Sequence, residues 1–81
     1  MKIVWDEPKR LLNLRTRGLD FADLDPEFFA ASTVVPARDG RSMAIGVFRE
    51  LVLSVIFRPL GTEAISVISM RIASRRERSV L

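Results

Sequence analysis

The chain contains no cysteine, no histidine and no tyrosine. Those absences remove disulfides, thiolate chemistry, the common zinc ligands and any imidazole acid or base in one step. Nucleophilic triads and metallohydrolase sites are excluded with them, and no glycine-rich phosphate loop is present. Glycine and proline are scarce, at four each. No repeats, low-complexity tracts or linkers interrupt the chain, which reads as one run of short elements. The apolar stretch Leu51 to Phe57 is too short to span a bilayer. With no apolar signal core ahead of Trp5-Asp6-Glu7, the expected location is the cytoplasm, away from any membrane.

What is present is an apolar and arginine-rich chain. Its 81 residues are 48% hydrophobic and 28% charged, a globular balance that predicts one domain over residues 1–81, folding without a metal or disulfide staple. Charge is uneven. Residues 1–37 carry five basic and six acidic side chains, whereas residues 38–81 carry eight arginines against four acids. The second half is the anion-facing half. A guanidinium stays charged and its fork fits a phosphate, so arginine used alone suggests bidentate phosphate contacts rather than diffuse attraction.

Local signals place the elements. Met1 to Trp5 reads as a short strand. Asp6 is placed to cap a helix over Glu7 to Arg17, with Pro8 in its first turn, Leu11, Leu12 and Leu14 as its apolar side and Gly18 as its stop. Asp20 caps a second helical start, with Leu19 able to staple onto Leu24. The Asp25-Pro26 step splits that segment before Glu27 to Ala31, because a residue preceding proline avoids helical angles. Phe28 and Phe29 are its expected core anchors. Strands follow over Thr33 to Pro36, Ser42 to Phe48, Leu51 to Arg58 and Glu63 to Arg71, and their short connections predict an antiparallel meander. Leu51 to Phe57 is apolar on both faces and reads as the central strand. Ser74-Arg75-Arg76-Glu77 has capping-box form and starts a short final helix, from which Val80 and Leu81 can pack back on the sheet. The fold class is α+β: an antiparallel sheet packed against two N-terminal helices and a short C-terminal helix.

Few reactions suit this inventory. A paired-carboxylate hydrolase is the obvious enzyme to consider, yet Asp6, Glu7, Asp20 and Asp23 stand where helix caps and first-turn acids belong. RNA cleavage fits better. The neighbouring 2′-hydroxyl is the nucleophile, so the protein needs mainly to orient the chain and stabilise charge on the phosphate, which arginine does well. Arginine does not readily release a proton. A proton carrier has to come from elsewhere, and Lys9 and Glu77 are the candidates. Trp5 and the five phenylalanines suit a core, and no aromatic stacking platform is readable.

An ordered set of segments carries a family resemblance: Trp5-Asp6-Glu7-Pro8-Lys9, Asn13, Gly18 and Phe21, then Arg41 with Ala44-Ile45-Gly46. It closes with Val67-Ile68-Ser69-Met70-Arg71 and Ala73-Ser74-Arg75-Arg76-Glu77-Arg78. Across nearly its whole length the chain resembles the BrnT toxins. The resemblance implies a RelE-like ribonuclease fold and growth arrest through RNA cleavage. It also implies neutralisation by a DNA-binding antitoxin of the BrnA type in a hetero-oligomer, commonly two-to-two, so that DNA is met only through the antitoxin. Arg41, Arg71, Arg75 and Glu77 match positions of the family pattern. The chain departs from that pattern at Thr16-Arg17-Gly18, where Lys-His-Gly is usual, at Ser66, where an arginine is frequent, and after Arg78, where a tyrosine is common.

The expected activity is a metal-independent endoribonuclease without a cofactor. Arg41, Arg71 and Arg75 hold and stabilise the scissile phosphate, Lys9, Arg58 and Arg78 bind RNA as supporting cations, and Glu77 is the candidate acid or base. The competing expectation is a non-catalytic module that keeps the fold and binds nucleic acid or a partner. The plain structural alternative for Arg71 and Arg75 is a salt-bridged strand end and a helix cap.

Overall fold

A computed structural model describes residues 1–81. Strands β1 (Lys2–Trp5), β2 (Thr33–Pro36), β3 (Ser42–Phe48), β4 (Leu51–Leu60) and β5 (Ala64–Ile72) form one sheet in the order β1-β5-β4-β3-β2. Helices α1 (Glu7–Arg17) and α2 (Pro26–Ala31) precede β2, and α3 (Arg75–Arg78) ends the chain. The architecture is the expected α+β arrangement, and β4 is central as its apolar faces predict. From β2 to β5 the pairing is antiparallel. The sheet as a whole is mixed, because β1 joins β5 in parallel, from Lys2 opposite Ala64 to Trp5 opposite Val67. Parallel neighbours need a long crossover, and here everything from α1 to β4 serves as one.

Helix ends follow local chemistry. Gly18 closes α1 at φ 70°, and its N–H donates to the Leu14 carbonyl, a left-handed cap that suits glycine. The Asp20 carboxylate accepts from the Ala22 N–H at the start of a single 3-10 turn, Phe21–Asp23, and Asp25 accepts from the Phe28 N–H at the start of α2. Asp6 differs from expectation: it takes the cap position of α1 with extended backbone, but its side chain makes no cap hydrogen bond.

The core lies between the helices and one face of the sheet. Phe21, Leu24 and Phe28 pack with Ala44, Leu53, Val55, Phe57, Ile65, Val67 and Met70. Phe21 is fully buried, so truncating it to alanine costs about 3–5 kcal/mol. A Cβ on Gly46 would lie 3.1 Å from both the Phe28 ring and the Ser32 Cβ, so glycine allows α2 its close approach to β3.

Two apolar expectations are corrected. Leu11, Leu12 and Leu14 are exposed, at 49%, 53% and 37%, and the buried residue of α1 is Asn13. Its amide donates to the Leu19 carbonyl at 3.0 Å and its oxygen accepts the Met70 N–H at 3.1 Å. Met70 lies beyond the end of β1, where β5 has lost its parallel neighbour, and a buried N–H there needs an acceptor. Polar satisfaction, not leucine packing, therefore seats α1. Val80 and Leu81 are also exposed rather than folded onto the sheet, since α3 has only four residues and ends before it can carry them back.

Candidate functional site

Alternation along the strands sends one set of side chains to the core and the other to the opposite face. With Ala44, Val55 and Met70 in the core, two cross-strand rows occupy that opposite face. One is Met43, Ile56 and Ser69; the other is Ile45, Ser54 and Arg71. Between Ile56 and Phe57 the β4–β5 register slips, and Ile68 has no partner. Such a bulge adds local twist and re-aims side chains. It falls at the residue that floors a cavity on this face.

That cavity has a volume of about 410 Å³ and is lined by Pro36, Ala37, Arg38, Arg41, Met43, Ile56, Arg71 and Glu77. Its arginines come from two places. Arg38 and Arg41 flank a tight loop in which Asp39 and Gly40 both take left-handed backbone, at φ 57° and 73°. The loop is tied by the Ala37 N–H to the Arg41 carbonyl at 2.9 Å and by the Arg41 N–H to the Arg38 carbonyl at 3.1 Å. An aspartate in that conformation costs about 1 kcal/mol or more. Arg71 enters from β5.

Arg71 is held in place by Glu77. Its two terminal nitrogens reach the two carboxylate oxygens at 2.6 and 2.7 Å, a fork-to-fork geometry that fixes the guanidinium plane. Glu77 also accepts from the Ser54 hydroxyl at 2.8 Å and the Ser74 N–H at 2.9 Å, while its own N–H donates to the Ser74 hydroxyl at 3.1 Å. The expected capping box is therefore present, with the same carboxylate serving helix and cavity. The Arg71 hydrogen bond, reinforced by Ser74 and Ser54, holds the Glu77 carboxyl far below the usual carboxylate range. In return Glu77 raises Arg71.

Arg41 has no such partner. Its Nε is buried and makes no hydrogen bond. An unsatisfied buried donor costs about 1–3 kcal/mol, more when charged, and such a cost is tolerated where a ligand supplies the acceptor.

Thus three of the sequence-derived residues, Arg41, Arg71 and Glu77, converge on one cavity. Arg58 is exposed, with its guanidinium near Gly40: a Cβ there would sit 3.8 Å from Arg58 Nη1. It therefore flanks the loop at the cavity rim. Arg75 and Arg78 are exposed on α3 and do not line the cavity. Lys9 lies elsewhere, in a cavity between α1 and β5 lined also by Asn13, Arg17 and Ser69. Sequence reasoning missed Arg38 and Ser54. Ser54 left one signal, a lone hydroxyl in the apolar run Leu51 to Phe57; it is fully buried, and such a hydroxyl needs a partner.

The chain is similar to proteins already known. The family described as "Ribonuclease toxin, BrnT, of type II toxin-antitoxin system" matches residues 5–77. The crystal structure of the Brucella abortus ribonuclease toxin BrnT is similar, with a TM-score of 0.85 and 56% sequence identity over 93% of this chain and 99% of that one. No curated protein matches the chain.

Proposed function

Because this chain belongs to the BrnT family of ribonuclease toxins of type II toxin–antitoxin systems, we propose that it cleaves RNA internally, without a metal, at the cavity between Arg41 and Arg71. The observation that carries this reading is the buried, unpartnered Arg41 Nε beside a guanidinium locked by Glu77. The Arg41 Nε lacks an acceptor, and Arg71 bears N–H donors beyond those that Glu77 takes. A phosphate diester bound there accepts from Arg41 and meets the positive edge of Arg71, with Arg38 closing over it and Arg58, Arg75 and Arg78 drawing in the rest of the strand.

The chemistry is attack by the 2′-hydroxyl oxygen on the adjacent phosphorus. The bond to the 5′-oxygen breaks, leaving a 2′,3′-cyclic phosphate and a 5′-hydroxyl. The proton lost from the 2′-oxygen is balanced by one gained at the 5′-oxygen. Negative charge grows on the phosphate oxygens as the nucleophile arrives, and preorganised guanidinium donors stabilise that charge most in a site shielded from water. Glu77 is a weak base, since its neighbours favour its ionised form, and Brønsted behaviour makes such a carboxylate inefficient at taking a proton near neutral pH. Its role is to orient Arg71. Lys9 supports RNA from the α1 side.

The reading extends to the partner and the setting. A BrnA-like DNA-binding antitoxin neutralises the toxin in a hetero-oligomer in the cytoplasm, and the fold is RelE-like. Inducible expression tests the core of it. Growth arrest with RNA carrying new cyclic-phosphate ends is expected, with relief when a BrnA-type antitoxin is co-expressed. Arrest that persists undiminished in Arg41→Ala and Arg71→Ala sinks the mechanism. RNA binding that weakens with salt, without cleavage, supports the binding module instead.

A further inference from the structure

The cavity is larger and less polar than a phosphate requires. At about 410 Å³ it falls in the range of sites that hold a small organic ligand, about 300–1,000 Å³. The arginines enter from the Arg38–Arg41 loop at one end and from β5 at the other. Between them the floor is aliphatic: Met43 and Ile56 are direct cross-strand partners, and Pro36 at the end of β2 also lines the cavity. A nucleotide has the same mixed character, an anionic phosphate beside a largely apolar base face.

Resting on the ribonuclease reading above, we infer that Met43, Ile56 and Pro36 form a nucleobase subsite adjoining the phosphate site, and that the substrate enters as an unpaired strand. A base inside a duplex is stacked on both faces and does not fit a pocket of this size. An unstacked base can be splayed into it, as single-stranded RNA readers do, and can stack on a guanidinium plane as well as on an aromatic ring. Arg38, exposed and lining the same cavity, supplies that plane. No aromatic side chain lines the cavity, so the aliphatic floor and Arg38 replace the stacking platform absent from the sequence. The bulge at Ile56/Phe57 sets the angle of the floor.

The test is direct binding to the intact chain of three probes: inorganic phosphate, ribose 5-phosphate and each nucleoside 5′-monophosphate. Nucleotides are expected to bind about tenfold tighter than ribose 5-phosphate, toward the lower end of what base stacking on aromatic rings supplies, since here an aliphatic floor and a guanidinium take the ring's place. Met43→Ala shrinks that ratio and leaves phosphate binding unchanged, whereas Arg41→Ala weakens all three probes together. The Met43 methyl resonance gives a readout in the unaltered protein. It shifts with nucleotides and stays still with ribose 5-phosphate. Equal affinity for nucleotide and ribose 5-phosphate overturns the base subsite while leaving the phosphate site standing. If no probe binds, the subsite and the phosphate reading fall together.

Discussion

Arg10 and Arg71 each grip a glutamate through two nitrogens, but one lies on the helical side of the molecule and the other lines a cavity. Arg10 binds Glu7 at 2.7 and 2.8 Å and Asp20 at 3.0 and 3.1 Å, and Glu7 also accepts from the Trp5 ring N–H at 3.0 Å. In that cluster one guanidinium is shared by two carboxylates, and none of the three residues lines a cavity. The cluster ties β1, α1 and the Phe21 turn together and leaves nothing to offer a ligand. The Arg71 cluster satisfies Glu77 fully yet stands beside Arg41, whose buried Nε has no acceptor. Similar ion pairs thus differ in what surrounds them, and incompleteness next to a cavity is what singles out the second as the proposed site.

The largest contrast is expected from removing each arginine in turn. Arg71→Ala should lower RNA cleavage about 10³-fold, in line with losing one preorganised transition-state donor. Arg10→Ala should leave the cleavage rate within a few-fold and lower only the melting temperature. The double variant Arg71→Ala/Glu77→Gln sharpens the point. It removes the carboxylate charge left uncompensated by the single change, so the melting temperature recovers while cleavage does not. Equal loss of activity in the Arg10 and Arg71 variants would break the comparison.

Arg41→Ala is next, and its signature is a split between activity and stability. Cleavage falls about 10²-fold because a phosphate donor is gone. Folding stability holds or rises, because the substitution removes a buried, unpaired donor rather than a contact. Single-turnover cleavage and thermal melting on the same preparation check it. A melting temperature that drops as far as in Arg10→Ala would mean that Arg41 is already structurally satisfied.

Ser54→Ala has a smaller effect. The hydroxyl donates to Glu77 Oε1 from a fully buried position. A hydrogen bond to a charged group contributes about 1.5–3 kcal/mol, and here the carboxylate keeps its other donors, so the lower end is expected in denaturant unfolding. Cleavage should fall several-fold through loosened Arg71. Unchanged cleavage would restrict Ser54 to a purely structural part.

The contrast between the clusters also explains what could be read from the sequence. Gly18, Asp20, Asp25-Pro26 and the Ser74 to Glu77 box act within a few residues, so helix boundaries were legible. Strand alternation and short turns gave β2 to β5 for the same reason. The pairing of Lys2 with Ala64 spans most of the chain and leaves no local trace. Asn13 was visible only as part of a family pattern; its dual hydrogen bonding depends on where β1 stops. The leucines of α1 misled because a 3.6-residue pattern identifies an apolar stripe without saying that anything covers it. At the site, Arg41, Arg71 and Glu77 could be named, but the exclusion of Lys9, Arg75 and Arg78 from the cavity depends on which sheet face and which helix side they occupy.

Acid titration gives the smallest expected effect and separates the clusters by exposure. The Arg10 hydrogen bond, with that of Trp5, lowers Glu7 from 4.5 to about 2. A depressed carboxylate stabilises the fold above its unfolded value and loses that contribution as pH falls through the folded one. Glu7 therefore contributes above about pH 4.5, and its share fades between there and about pH 2. Glu77 follows the same sign, with Arg71 as its main cause. Exposed pairs are screened by salt far more than sheltered ones, and the Glu7 side chain is 57% exposed against 16% for Glu77. Melting curves from pH 7 to pH 2 should thus be less pH-dependent in Glu7→Gln than in the unaltered chain, with the difference reduced in high salt. In Glu77→Gln the loss of acid dependence should survive high salt. Equal salt sensitivity in the two variants would show that α3 does not shelter Glu77 in solution, and the cavity would then lose the wall that positions Arg71.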